Sequence, residues 1–462
     1  MSTALFVFRR DLRLEDNTGL NHALTEHDRV IPVFCIDPRQ VEPHAYRSVF
    51  GLAFLRESLV ELDESLKKVG SKLHVLVGVG EAEIPRLAQL VGAERVVVNR
   101  DYTPFARARD AEFDVVDDAL LTVPETSVKP DGLPYTVFTP FYKKNSLSEP
   151  PRPHPLVNQN LFSVEGAFGI EKVVELMATP GVTPLDKPGR RAGLEILAGL
   201  GRLTEYNETR DVPAIEGTSR LSPHHKFGTV SIRESYWAAR EQLPPSNRLI
   251  TEFYWRDFMT CIGFHFPHVF EGNFNPMFDG VEWDDNPEWF EFWREGRTGF
   301  PIVDAGMREL AATGFMHNRT RMIVASFLTK DCHIHWREGE RHFATLLTDY
   351  DPCVNNGSWQ WAASTGCDAQ PYFRIFNPWL QQVKFDPDAV YIRRWIPELE
   401  HVATADIHNP ERSQMLFGYP APMLDHAHEK AITLAKFEAA KSKFDPSKLN
   451  VPVALGGAKV GS

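Results

Sequence analysis

Residues 349 to 363 read DYDPCVNNGSWQWAA, a short stretch that gathers acids, amides and indoles. Asp349 and Asp351 are two residues apart, a spacing that allows both carboxylates to share one face of a strand or tight loop. Asn355 and Gly357 follow, and a glycine permits close approach of the backbone to a ligand. Two interpretations stay open on this stretch alone: a binding site, or a capped turn that leads into an aromatic core helix.

Two tryptophans, Trp359 and Trp361, end the same stretch. Indoles stack on aromatic rings and carry single electrons, while carboxylates and amides hydrogen-bond the polar edge of a heterocycle. The combination suits a planar, redox-active ligand.

Far upstream, the first 130 residues alternate between apolar runs and helical periods. The apolar runs are LFVF at 5–8, VIPVFCI at 30–36, LHVLV at 73–77 and RVVV at 95–98. Helical stretches such as 50–69 and 81–91 separate these runs, which predicts a Rossmann-like α/β domain with a parallel sheet over residues 1–130. Gly78 and Gly80 lack the third glycine of a dinucleotide fingerprint and precede acids, so no dinucleotide is expected on this sheet.

The rest of the chain predicts three further parts. Residues 131–190 include a segment rich in proline, histidine and asparagine, and they are interpreted as an interdomain linker. Residues 191–444 show helical periodicity, for instance at 302–311 with Gly314 in a C-cap position, and predict an all-helical domain. Residues 445–462 have no periodic pattern and are predicted to be a disordered tail.

Composition excludes several classes of protein. The chain has 462 residues and a formal net charge of −12, so DNA binding would need a local basic patch on an acidic body. Five cysteines form no CxxC pair and the histidines lack further ligands at metal spacing, which argues against a disulfide framework or a metal site. No apolar run reaches membrane-spanning length and no signal peptide is visible, so a soluble, cytoplasmic protein without a membrane partner is expected.

A cluster of hydroxyls with one arginine precedes a predicted helix. The cluster consists of Thr218, Ser219, Arg220, Leu221 and Ser222. Free backbone N–H groups at a helix start, together with a guanidinium, hold phosphate oxygens. Helix capping explains the same residues, so the spacing alone leaves both interpretations open.

The segment TEFYWRDF carries Glu252, Trp255 and Arg256 at spacings of three and four residues. Such spacings return to the same side of a helix, so these side chains share one helical face or its edge. For Glu252 alone, a solvated helix acid is the plainer interpretation.

Together these motifs resemble the photolyase and cryptochrome flavoproteins. The resemblance rests on FRRDLRLEDN at 8–17, GFMHNRTRM at 314–322, WREGE at 336–340, DYDPCVNNGSWQWAA at 349–363 and PYFRIFNP at 371–378. Because separate motifs follow in the same order over nearly the whole chain, the resemblance is specific. It implies an α/β antenna domain followed by an all-α domain that binds flavin adenine dinucleotide (FAD).

The resemblance implies which residues hold FAD. Residues 218–222 would hold the diphosphate, with Tyr206 nearby as a further cofactor contact. The residues beside the flavin would be Asn318, Arg321, Asp349, Asp351 and, opposite ring nitrogen N5, Asn355. An amide hydrogen-bonds N5 whether or not that nitrogen is protonated. Plant cryptochromes place Asp at this position, so Asn355 favours repair over signalling. Phe315 stands where related repair enzymes often carry Trp.

Three tryptophans match the family's electron-transfer chain: Trp359, Trp336 and Trp283, in order from the flavin outward. Without the resemblance, three of ten tryptophans would be interpreted as core or interface residues.

The resemblance also implies a pocket for a pyrimidine dimer, formed by Glu252, Trp255, Asn318, Met322 and Trp361. Glu252 would hydrogen-bond the thymine carbonyls, and the two indoles would form an apolar wedge. Aromatic walls with a few polar edge contacts suit a flipped-out lesion.

Further residues are implied for DNA and for an antenna chromophore. The DNA phosphates would meet Arg210, Arg256, Arg319 and Arg374. His44 and Glu112 match positions of a folate antenna, whereas Asp101 suits an 8-hydroxy-5-deazaflavin, and the antenna's identity stays open between the two.

The sequence is most similar to the class I cyclobutane pyrimidine dimer photolyases. Such an enzyme is expected to act as a monomer on UV-damaged DNA, where light-excited reduced flavin gives an electron to the flipped dimer and regains it after the ring bonds split. One alternative is a cryptochrome-type blue-light photoreceptor. Another is a (6-4) photolyase, which carries a histidine pair where this chain has His317 and Asn318. A nicotinamide-dependent flavoprotein is disfavoured, since no dinucleotide fingerprint is present.

Overall fold

The computed structural model describes residues 1–409 and 418–445, so the predicted tail lies outside the described residues except for its first residue. A five-stranded sheet comes first, with strands β1 Thr3–Phe8, β2 Arg29–Ile36, β3 His74–Val77, β4 Arg95–Asn99 and β5 Asp114–Val116. All neighbouring strands are parallel, in the order β3-β2-β1-β4-β5. The four predicted strands are confirmed. β5 was missed because three partly exposed residues give no apolar run.

Helices make up most of the remaining described chain. The first ten are α1 Thr18–Glu26, α2 Pro38–Val41, α3 Val49–Lys68, α4 Gly80–Val91, α5 Pro104–Arg109, α6 Phe138–Asn145, α7 Glu171–Leu176, α8 Arg190–Ala198, α9 Tyr206–Thr209 and α10 Ser222–Phe227. The others are α11 Ile232–Gln242, α12 Leu249–His265, α13 Pro287–Arg294, α14 Pro301–Thr313, α15 Asn318–Lys330, α16 Trp336–Leu346, α17 Pro352–Ala363, α18 Pro378–Phe385, α19 Val390–Trp395, α20 Thr404–Ile407 and α21 His426–Lys443. Over the part of the chain that is described, helices are too short or too polar to cross a membrane.

The sheet is buried on both faces. Leu5 and Val7 of β1 face one apolar core, and Phe6 and Phe8 face another, as the two-residue period of a strand requires. Because the strand order reverses between β1 and β4, their carboxyl ends form the switch point where open α/β sheets bind ligands. The predicted α/β fold class is confirmed.

Residues 131–190, interpreted as a linker, contact both halves of the molecule. Phe138 and Phe141 of α6 pack against α12 in an aromatic core. Farther along, Leu161 and Phe168 form parallel and antiparallel bridges with β2 and β3, respectively. This segment therefore extends the sheet's surface, although the exact domain boundaries stay a prediction.

A buried ionic network joins the sheet to the helices. Asp118, just after β5, accepts hydrogen bonds from Arg13 at 2.6 Å and from Arg233 of α11 at 2.7 Å. Arg233 also pairs with Asp16 at 3.0 Å. These charges have little access to water, so each depends on its partner across the boundary.

The helical half centres on α15, α16 and α17, whose core includes the fully buried indoles of Trp293, Trp336 and Trp359. Gly314 ends α14 at φ +68°, which confirms the predicted C-cap. α12 and α15 both pack against α17, so residues from all three helices meet around it.

Candidate active site

The stretch 349–363 forms a capped helix and a polar site at once. Asp351 caps α17 by accepting the N–H groups of Cys353 and Val354 at 2.9 and 3.0 Å. Its other carboxylate oxygen pairs with Arg10, which follows β1. Burial alone would raise the pKa of Asp351, but Arg10, Lys226 and a further arginine hold that pKa below its usual range. The carboxylate therefore stays charged in the interior.

Gly357 serves helix packing. It lies within α17, where an added Cβ would approach the Met259 sulfur of α12 to 2.5 Å. Contact between the two helices accounts for this glycine, and the expected close approach to a ligand is not what explains it.

The amide of Asn355 is fixed by the neighbouring helix. Its Nδ2 donates to the backbone carbonyl of Glu340 on α16 at 3.1 Å, which leaves the amide oxygen for another donor. Burial, partly offset by nearby arginines, raises the pKa of the Glu340 carboxyl to about 7. The neutral Asn355 amide suits a site that holds a ring nitrogen in more than one protonation state, while the Glu340 carboxyl itself hydrogen-bonds Asn356 and Tyr46.

Arg321 and Arg220 are each anchored by an aspartate, and both lie near the Phe315 ring. Arg321 pairs with Asp349 at 3.0 Å and donates to the Met316 carbonyl at 2.8 Å. Arg220 pairs with Asp186 at 2.7 Å, and its guanidinium lies 3.5 Å from the centre of the Phe315 ring. Phe315, the departure from related enzymes, is therefore a platform for Arg220.

The hydroxyl cluster lies where the sequence predicted, in the loop before α10. Thr218 and Ser219 are partly exposed, and Ser222 opens the helix. Arg202 ties the loop down by donating to the Thr218 carbonyl at 2.8 Å. Tyr206 is buried nearby, with the Arg210 guanidinium 5.7 Å from its ring.

Glu252 and Trp255 stand one turn apart on α12. Glu252 forms an ion pair with Arg210, yet burial outweighs this charge and raises the pKa of the carboxyl. Phe138 covers one face of the Trp255 indole, with ring centres 3.7 Å apart and planes within 8°. The indole remains partly exposed, so it forms an aromatic wall backed by a second ring.

The other predicted pocket residues lie on the neighbouring helices. On α15, the Asn318 amide approaches the Met322 sulfur at 3.8 Å. Trp361 on α17 is partly exposed. Both α12 and α15 pack against α17. Glu252 and Trp255 on α12 therefore come from a helix that contacts the helix of Trp361, as do Asn318 and Met322 on α15.

The four arginines expected at DNA fall into two groups. Arg374 is exposed, Arg319 pairs with Asp211 at 2.9 Å, and Arg210 holds Glu252. Arg256 instead turns toward the sheet, where it donates to the Ala119 carbonyl at 2.6 Å and is largely buried. Because its guanidinium is held in the interior, Arg256 does not lie where an expected DNA contact would have to be.

Two of the three tryptophans are buried and the third, Trp283, is partly exposed. Trp359 packs edge-on against Phe343 at 4.9 Å. Trp336 is fully buried and donates to Asn273 at 2.8 Å, whereas Trp283 is partly exposed. The accessible position of Trp283 is compatible with the outer end of the expected path, and the path itself stays a prediction.

A small polar cleft opens at the sheet's switch point. Its lining includes four arginines and three aspartates, among them Arg9, Arg10, Arg100, Asp101 and Asp351. Asp101 thus lies where the fold predicts a ligand. His44 and Glu112 are exposed and do not line this cleft.

Some of these contacts gave no signal in the sequence. Phe138 and Trp255 are more than a hundred residues apart, and no spacing links them. Arg10 belongs to the recognised stretch FRRDLRLEDN, but nothing local indicates that its partner is Asp351.

The comparisons with known proteins agree over nearly the full length. Residues 4–156 match the family model for DNA photolyase, and residues 249–439 match the FAD-binding domain of DNA photolyase. A deoxyribodipyrimidine photo-lyase of Halobacterium salinarum is 37% identical over 95% of this chain and 99% of its own.

Solved structures give the same result. An archaeal photolyase from Sulfolobus tokodaii, described with two FAD molecules, is 40% identical with a TM-score of 0.87 over 95% of this chain and all of its own. A cryptochrome from Synechocystis is 30% identical with a TM-score of 0.83, over 94% of this chain and 99% of its own. Matching sequence models, relatives and structures show that this chain belongs to the DNA photolyase family.

Proposed function

We propose that this protein uses light to split cyclobutane pyrimidine dimers in DNA, with FAD as its cofactor. The observation that carries the proposal is α17, which holds Asn355 and Trp361 on one helix. That helix joins the residues expected at the flavin to those expected at the lesion. The names of the relatives support the same activity.

The residues present fit FAD. Asn355 keeps its amide oxygen for the flavin ring, since its nitrogen is tied to α16. Partly exposed hydroxyls of Thr218 and Ser219, beside Arg220 on its platform, suit the diphosphate. Once bound, FAD would absorb light and supply the electron that splits the dimer.

The protein's own part is to hold the lesion. Trp255, backed by Phe138, offers a rigid flat wall to a dimer of adjacent pyrimidines flipped out of the DNA duplex. Glu252 supplies a polar edge one turn away, and its raised pKa favours a carboxyl able to donate to a thymine carbonyl. Arg210 keeps that carboxyl from turning away.

DNA contact is proposed for the rim around this pocket. Arg319 and Arg374 add positive charge there, while the whole chain carries a net charge of −12. Phosphate contacts fix orientation and carry no lesion specificity, so recognition stays with the pocket. We take the protein to act as a monomer in the cytoplasm.

The switch-point cleft is our candidate for the antenna. Its polar lining of arginines and aspartates suits the hydrogen-bonding groups of an 8-hydroxy-5-deazaflavin. The Sulfolobus relative is described with two FAD molecules, so a second FAD is the other candidate. A folate held by His44 and Glu112 is less favoured, because neither lines the cleft. Mass spectrometry of chromophores released from purified protein, with an Arg100→Ala variant alongside, tests this assignment. The variant should lose the deazaflavin or, if the second chromophore is FAD, should release one FAD per protein where the wild type releases two.

The repair reaction tests the main proposal. Photoreduced protein is mixed with an oligothymidine that carries cyclobutane dimers, and recovery of thymine absorbance is followed in blue light and in darkness. Recovery should require light, fall at least tenfold in Glu252→Ala and Trp255→Ala, and stay normal in Glu271→Ala, where the residue is exposed. A flavin-loaded, reducible protein without recovery would contradict the proposal and favour a photoreceptor or the (6-4) lesion.

A further inference from the structure

One histidine ring contacts two of the three tryptophans. His335 lies 5.5 Å from Trp336 and 5.3 Å from Trp283, measured between ring centres, with planes tilted by 33° and 58°. Among the described residues, it is the ring in contact with both indoles. Its sequence position, directly before WREGE, does not indicate that it contacts the electron-transfer tryptophans.

The backbone holds this ring in place and sets its tautomer. His335 is the N-cap of α16, where its Nδ1 accepts the Arg337 N–H at 3.1 Å. An accepting Nδ1 leaves the proton of a neutral imidazole on Nε2. Burial, followed by the positive charge of Arg337, lowers the pKa of His335 to about 4, so the ring is neutral at pH 7.

We propose that His335 is a positioning residue for photoreduction: its uncharged ring seats Trp336 against Trp283 and keeps positive charge out of the space between them. The inference rests on the proposed function, since it takes the three tryptophans to be the electron path. With FAD bound, Trp359 would give one electron to the light-excited flavin, Trp336 would refill Trp359, Trp283 would refill Trp336, and an external thiol would refill Trp283.

Charge matters here because each indole is briefly a radical cation. The Arg337 guanidinium already lies 5.2 Å from the Trp336 ring, so the electron leaves Trp336 against one positive charge. A second unit charge about 5 Å away, at an effective dielectric of about 20, shifts such an equilibrium roughly a hundredfold. Partial exposure of His335 reduces this, and we expect about a tenfold effect.

The test compares two unbranched side chains of similar length, one neutral and one charged. His335→Met and His335→Lys have similar length and both lose the helix cap, but only lysine places a charge near the indoles. Each full-length, FAD-loaded protein is illuminated with blue light and a thiol donor, and the quantum yield of flavin reduction is measured. The yield should fall several-fold in His335→Met and about tenfold further in His335→Lys.

A second readout separates this role from a general loss of structure. Dimer repair by the chemically reduced variants should match the wild type, since splitting the dimer does not use the tryptophans. Equal photoreduction in wild type and His335→Met, or in His335→Met and His335→Lys, would overturn the proposal. The Trp336→Phe variant tests the electron path itself. Normal flavin photoreduction in this variant would show that the path is wrong. Loss of photoreduction in Trp336→Phe, together with normal photoreduction in the His335 variants, would show that only the role of His335 is wrong.

Discussion

Gly339 is the residue on which the position of Trp359 depends. An added Cβ at this point of α16 would lie 2.1 Å from the edge of the Trp359 indole and 2.6 Å from Leu328. Both neighbours belong to the packed core, so neither has room to move.

We therefore predict that Gly339→Ala displaces the Trp359 ring and lowers the free energy of unfolding by about 1–3 kcal/mol. Urea unfolding measures the stability, and flavin photoreduction reports the ring position. Gly272→Ala is the matched control, because its nearest neighbour would be 3.9 Å away. An unchanged photoreduction yield in Gly339→Ala would contradict the prediction.

Glu340 makes stability depend on pH near neutrality. Burial raises its pKa from 4.5 to about 7 in the folded protein, so between these values the folded state holds a proton that the unfolded state has lost. The free energy of unfolding should therefore fall, by up to roughly 3 kcal/mol from this group, as pH rises from about 4.5 to 7. Burial also raises the pKa values of Asp257 and Asp331, which therefore change the free energy of unfolding in the same direction.

The Glu340→Gln variant isolates this contribution, since an amide cannot titrate. Urea unfolding of both proteins at several pH values between 5 and 8 should show a shallower decline for the variant. Parallel curves would mean that Glu340 does not titrate in this range.

At the scale of single elements, α21 closes one side of the helical half. His333 pairs with Glu429 at 2.7 Å, and His426 pairs with Asp331. Phe437 lies at the centre of the contact, stacked on Tyr372 at 5.7 Å. The helix therefore braces the segment 371–378 as well as the core beneath it.

Phe437→Ala should lower the free energy of unfolding by roughly 3–5 kcal/mol, because the buried ring leaves a cavity beside Trp283 and Tyr372. We also expect faster hydrogen exchange over residues 371–378. Thermal unfolding and exchange mass spectrometry measure the two effects. Lys430→Ala, an exposed position on the same helix, should behave as wild type, and a wild-type exchange pattern in Phe437→Ala would argue against the bracing role.

The elements also differ in how far sequence could predict them. The four longer strands and the end of α14 at Gly314 follow from apolar runs and a C-cap, which are local signals. The stacking of Trp255 on Phe138 and the inward turn of Arg256 depend on how distant elements pack, and no local pattern encodes either. Family motifs supplied the candidate site residues, but not their partners, such as Arg10 for Asp351.

Across the whole molecule, Asp118 joins the sheet to the helices. Burial alone would raise its pKa, but Arg13 and Arg233 together hold that pKa below its usual range. A carboxylate with a lowered pKa stabilises the fold at pH values above its unfolded pKa, near 4, and this stabilisation is lost as pH falls further.

Asp118→Asn should therefore lower the free energy of unfolding by roughly 3–5 kcal/mol at pH 7, since two buried guanidinium groups lose their counter-ion. The difference in the free energy of unfolding between wild type and variant should become smaller as the pH approaches about 3. Urea unfolding at both pH values measures the change. A difference of the same size at both would show that the charge of Asp118 is not what stabilises the boundary.

The pairing of Arg10 with Asp351 bears on how this protein can be recombined with its relatives. Arg10 comes from the sheet, yet it neutralises the cap of α17 and also donates to the Lys226 carbonyl at 3.1 Å. The N-terminal domain therefore cannot be exchanged freely. In a chimera whose antenna domain lacks an arginine at this position, Asp351 has fewer positive charges beside it. Asp351 caps the helix that carries Asn355. Grafts intended to change the colour of harvested light should carry both ends of this pair together.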